Sequence, residues 1–236
     1  MSESFLLVIM QKSLLKQGLI RMETSANYLN NVRLLQQLKT NSSRSAMQEP
    51  YAKDFETIYK EAQENDITLS NAKEFLNTLS SDELSTLQHY TGLADEINVD
   101  SLSNEGAYNL LMHDYEKYDF NNDGMVQNGI GNLAPILPNS MDDHMKESYV
   151  QALNSLDESK RLDAMAISTL GYATSALNRL DETNHRENTA AAPLTYEILA
   201  ARIDSILHPK NGSYASTALQ DTISEFWENF KTSYNS

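Results

Sequence analysis

The chain has 236 residues, 40% hydrophobic and 22% charged, which is enough to bury a substantial core and too apolar for a disordered segment. Its net charge of −15 lacks the basic footprint of a nucleic-acid binder, and zero cysteines exclude disulfides, thiolate metal sites and a cysteine nucleophile. The charge is uneven: residues 1–45 hold six Lys or Arg against two Glu, a net of +4, so residues 46–236 carry −19.

That asymmetry suggests a basic arm over 1–45 and an acidic body over 46–236, mainly α throughout. From Ser4 to about Lys39 the apolar positions follow helical spacing, first Leu7, Met10, Leu14 and Leu15, then Tyr28, Val32 and Leu35. The arm either folds onto the body or docks on a protein or an anionic membrane surface. Phe5 to Met10 is too short an apolar run for a signal peptide or a membrane span. A cytoplasmic location is expected, with export lacking an N-terminal signal peptide as the alternative. The polar stretch Thr40 to Ser45, with Pro50 beyond, reads as a linker.

Helices are then expected over Tyr51 to Gln63, from Ser70 to about Leu79, and from Ser81 until Gly92 ends the run. Another begins at Ser103 and is carried by Tyr108 to Tyr118 into residues 119–130, DFNNDGMVQNGI. Asp119, Asn121, Asp123 and Gly124 stand at the first, third, fifth and sixth positions of a calcium loop. Oxygens at alternate positions let a tightly turned backbone surround one hard cation, and the glycine takes the bend a Cβ would obstruct. The Met125 carbonyl and Gln127, directly or through water, extend the set. The twelfth position, which supplies a bidentate Glu in an EF-hand, is Ile130. Calcium takes about 6 to 8 oxygens, so Asp142 or Asp143, or water, is expected to complete the shell. The competing reading is an Asx-type turn that binds no metal.

Gly124, Gly129, Gly131, Pro135 and Pro138 mark residues 119–140 as a structured, non-helical insert in which Val126 contributes one short strand. Helices resume over Met141 to Leu156, Ser159 to Leu180, Leu194 to Leu207 and Ala215 to Tyr234, with Asp181 to Ala192 connecting the middle two. Trp227 and Phe230 are the expected anchors of the last helix, and the C-terminal tyrosines are expected at packing seams or on a binding surface.

Residues 79–138 resemble a family of bacterial proteins to which no activity is attached. The likeness rests on Leu84, Leu87, Gln88, the run LADEINVDSLSNEGAYNLL from Leu93 to Leu111, DFNNDG from Asp119, Gly129 and the segment to Pro138. It extends more loosely to about Met165. The chain departs from it at Leu137, where an aromatic and a second proline are expected, and at Gln127, where an acid is expected and whose absence implies weaker metal binding. The resemblance implies a bacterial origin and a shared loop, and no function.

These features suggest a calcium-binding helical protein acting through protein contacts, for which the acidic charge favours a basic partner, in which Ca²⁺ is a structural staple or a weak sensor. One alternative is a metal-dependent hydrolase using His113, Asp114, Asp142 or His144 beside the loop. Another is a small acidic chaperone or secretion accessory, which predicts a dimer with an exposed apolar groove. No nucleophile elbow, phosphate loop or dinucleotide fingerprint is present, so catalysis is the less favoured class.

Overall fold

A computed structural model describes residues 22–166, 193–209 and 215–236, and side chains from residue 26 onward. Expectations for residues 1–21, 167–192 and 210–214, including Tyr172 and Tyr214, lie outside these. The chain is mainly helical, with one two-stranded sheet among the described residues.

Two apolar cores organise the helices. The first gathers α3 (Ala52–Glu64), α4 (Ala72–Leu76), α5 (Ser81–Thr91) and α6 (Asn104–Leu110) around Phe55, Ile58, Leu76, Leu87 and Leu110. The second packs α7 (Asp143–Ser155) against α8 (Tyr196–Leu207) and α9 (Thr217–Tyr234) through Tyr149, Leu153, Leu199, Phe226 and Phe230. Phe226 shares the anchoring of α9 with Phe230, while Trp227 is only partly buried and stacks on Phe230. The α3 pattern is a strong apolar stripe at helical spacing, so its bounds fall within one residue of those expected.

Helix α1 (Met22–Gln37) runs from the second core to a small aromatic cluster at the loop entrance. Leu34 enters the second core, whereas Tyr28 and Val32 pack with Tyr118 just before the loop. Asn31 donates to the Leu137 carbonyl at 3.2 Å, and Arg33 pairs with Glu147 at 2.6 Å. The buried Lys146 ammonium of α7 donates to the Asn27 side chain, and burial lowers its pKa to about 8. The described part of the basic arm is therefore knit into the acidic body.

The stretch expected as a linker is instead α2 (Ser42–Gln48), because the Asn41 side chain caps it by accepting from the Ser43 and Arg44 amides. Position 45, the expected boundary, falls inside this helix. Ser80, one residue earlier than expected, caps α5 in a reciprocal box with Glu83, and Gly92 ends α5 with φ +78°. Helix α4 is shorter than expected, preceded by a turn in which the Asn71 side chain accepts from the Thr68 amide and hydroxyl. The 158–166 segment is helical, in the place expected.

Candidate functional site

Helix α6 stops at Leu110 rather than running into the loop. The chain instead makes a one-turn 3₁₀ segment, Asp114–Glu116, and reaches Asp119 in extended form. The reason lies in Asn109, whose amide donates to the carbonyls of Tyr118 at 3.0 Å and Gln127 at 2.7 Å while its oxygen accepts from the Tyr118 amide at 3.2 Å. These side-chain bonds hold an extended segment beside the helix where a continued helix would have no place for it.

The loop backbone takes two left-handed residues, Asn122 at φ +57° and Gly124 at φ +91°. Asn is among the residues that tolerate this conformation, and glycine takes it without steric cost. Asp119, 2% exposed, accepts from the Asp123 amide at 3.1 Å and the Gly124 amide at 2.8 Å. Asn121 accepts from the Asp123 amide at 2.8 Å, and Asp123 from the Met125 amide at 2.9 Å. The alternate oxygens therefore curl the backbone around themselves. The loop leaves through a hairpin, β1 (Val126–Asn128) antiparallel to β2 (Gly131–Leu133), with Gln127 opposite Asn132. Ile130, at the twelfth position, is at the hairpin tip and 55% exposed.

Glu105, in the first turn of α6, collects the loop from behind. One carboxylate oxygen accepts from the amides of Phe120 and Asn121, each at 3.1 Å, and the other from Gln127 at 2.9 Å. The Gln127 side-chain oxygen accepts from the Ser103 hydroxyl, the cap of α6. On the far side Asn139 donates to the Asp119 carbonyl at 2.7 Å, and Asn27 donates to the Asn139 carbonyl at 3.3 Å. The loop is thereby tied to α6 in the first core and to the segment that enters the second.

Its electrostatics are unbalanced. Burial raises the Glu105 carboxyl to about 7, with the Asp119 and Asp123 charges adding to the shift and the Gln127 and Asn121 amides opposing it. Burial likewise raises Asp119 to about 6, reinforced by Asp123 and opposed by the Gly124, Asp123 and Asn122 amides. The charges acting most strongly on each are other carboxylates, so a cation here would relieve repulsion and replace lost hydration. Asp119, Asn121, Asp123 and the Met125 carbonyl supply the oxygen chemistry calcium takes. The set is mixed: among the described residues no three His, Asp or Glu side chains are grouped so as to share a metal.

Asp142 and Asp143 make bonds outside the loop. Asp142 caps α7 by accepting from the Met145 amide at 2.7 Å, and Asp143 accepts from Asn30 at 2.7 Å. His144 bonds the Tyr234 carbonyl at 2.8 Å. His113 stands 3.4 Å from Glu56, with burial lowering its pKa and Glu56 opposing the shift. Although burial would raise it, Lys117 and Arg44 hold Asp114 well below the usual carboxylate range. His113 and Asp114 thus bond to groups of the first core and of α2, and Asp142 and His144 to groups of the second core.

Spacing within the loop does not reveal Glu105, Asn109 or Asn139. A signal for the first two is present: Glu105 and Asn109 are four residues apart and share a helix face, in a segment otherwise rich in buried apolar residues. No family model, curated protein or solved structure matches this chain.

Proposed function

We propose that the protein is a calcium-binding helical protein in which the ion staples the 119–128 loop across the seam between the two cores, and that it acts through contacts with other proteins. The observation that carries this reading is the turn in which Asp119, Asn121 and Asp123 bring alternate side-chain oxygens together, with the Asp119 and Glu105 carboxylates both buried. Asp119, Asn121, Asp123 and the Met125 carbonyl would hold the ion. Glu105 would organise the loop through its amides. Calcium supplies a compact double positive charge that favours the ionised form of every carboxylate around it.

The hairpin that leaves the loop supports a contact role. Ile130 is 55% exposed at the hairpin tip and Leu133 47% exposed at the end of β2, and fixing the loop would fix the hairpin that carries both. With a net charge of −15, a basic partner is the complementary choice.

Titration calorimetry with calcium tests the binding step. The unmutated chain should show one saturable site, and Asp119→Ala with Asp123→Ala should abolish it. Equal heats from the two proteins would sink the assignment.

A further inference from the structure

A cleft of about 320 Å³ opens between the end of α1, helix α2, the 114–116 turn and the 158–166 helix. That volume lies at the lower end of small-molecule pockets, which are mostly apolar with a few polar groups placed to orient the ligand. Leu35, Leu38, Ile136 and Leu162 supply apolar wall, and Leu162 is 58% exposed.

The polar groups are biased in sign. Among the described residues, Lys39, Arg44 and Arg161 line the cleft against a single carboxylate, Asp114. Asp114 is already committed, accepting from Arg44 through both oxygens at 2.9 and 3.0 Å and from Lys117 at 2.8 Å. Arg161, only 7% exposed, donates to four carbonyl oxygens, those of Lys39, Thr40, Leu153 and Leu156. A guanidinium has five N–H donors, so these four bonds leave one, on Nη2, to spare among the described residues. The Lys39 ammonium also donates to a carbonyl, that of Asn154, at 2.7 Å. Glu158 feels the Arg161 charge but accepts from the Ser42 amide at 2.5 Å. Carbonyl dipoles, and a Glu158 carboxylate that is itself bonded to Ser42, only partly offset the buried Arg161 charge.

We propose that this cleft binds a small amphipathic carboxylate of the medium-chain fatty-acid class, its tail against Leu35, Leu38 and Leu162 and its carboxylate at Arg161 and Lys39. The apolar wall selects a tail, and the surplus of cations in an otherwise acidic chain selects an anionic head. The site is separate from the 119–128 loop and does not depend on the ion.

Calorimetry of the full chain with decanoate, without added calcium, tests the assignment. Decanoate should bind at one site, and octanoate, two methylenes shorter, about 15-fold more weakly. Decyltrimethylammonium, with the same tail and the opposite charge, should give no saturable heat. Arg161→Gln would remove the head contact but also bonds that hold residues 39 and 40, so the exposed Leu162→Asp is the cleaner variant. It should weaken decanoate at least tenfold while leaving the melting temperature unchanged. Absence of saturable decanoate binding, equal binding of the cationic analogue, or unaltered affinity in Leu162→Asp would each overturn the proposal.

Discussion

The Glu116 carboxyl is buried beneath Tyr59, accepting from its hydroxyl at 2.9 Å and from the His113 amide at 3.3 Å. Burial outweighs both bonds and raises its pKa from 4.5 to about 7. A carboxyl raised in this way is more protonated in the folded than in the unfolded chain between those two values. Its contribution to stability is complete below the unfolded pKa and is lost as pH rises through the folded one. Glu116→Gln keeps the shape and removes the ionisation. The variant should therefore gain stability relative to the parent as pH rises from about 5 to about 8, a range that spans the raised pKa. Urea midpoints of the two proteins across that range measure it, and a difference that stays constant with pH would contradict this reading. The lowered His113 pKa has the opposite dependence on pH, and comparing parent with variant removes whatever part of it the two share.

At the scale of elements, the seating of the hairpin on α6 depends on Gly106. Its amide is held by the Ser103 hydroxyl at 2.9 Å, its carbonyl accepts from the Gly129 amide at 3.0 Å, and an added Cβ would run into the Gly129 carbonyl oxygen. Backbone cannot yield as a flexible side chain can, so Gly106→Ala should cost about 1–3 kcal/mol. It should also weaken the proposed calcium binding, because the Glu105 bond to Gln127 must shift with the hairpin. Unchanged urea stability together with unchanged calcium affinity would refute this packing role. The helices were legible in the sequence wherever an apolar stripe met a terminal signal, as in α5, expected from Ser81 to Gly92, and α9, expected from Ala215 to Tyr234. The short pieces were less so. Asn41 turned an apparent linker into α2, and Asn109 stopped α6 short of the loop, because side-chain bonds to the backbone carry no periodic signature. Within the site, the loop oxygens announce themselves by local spacing, whereas Glu105 and Asn139 reach the loop across 15 and 20 residues of chain.

For the whole molecule, the arrangement is two cores with a seam between them. Helix α1 crosses the seam by placing Leu34 in one core and Tyr28 against Tyr118 of the loop entrance. The loop crosses it a second time, held to α6 by Glu105 and to the start of the second core by Asn139. Among the described residues no helix is long and apolar enough to cross a membrane. A protein tied together at such a seam should respond as a unit to whatever tightens it, and the buried carboxylates make a cation the natural agent. Thermal melting in chelator, then in graded calcium and separately in magnesium, tests this most directly. An ion at 100 times its dissociation constant stabilises by about 2.7 kcal/mol, which raises the melting point of a domain this size by roughly 5–10 °C. A saturable, calcium-selective rise of that order is the predicted result. Equal melting temperatures in calcium and in chelator would contradict the staple and leave the loop as a turn closed by its own hydrogen bonds.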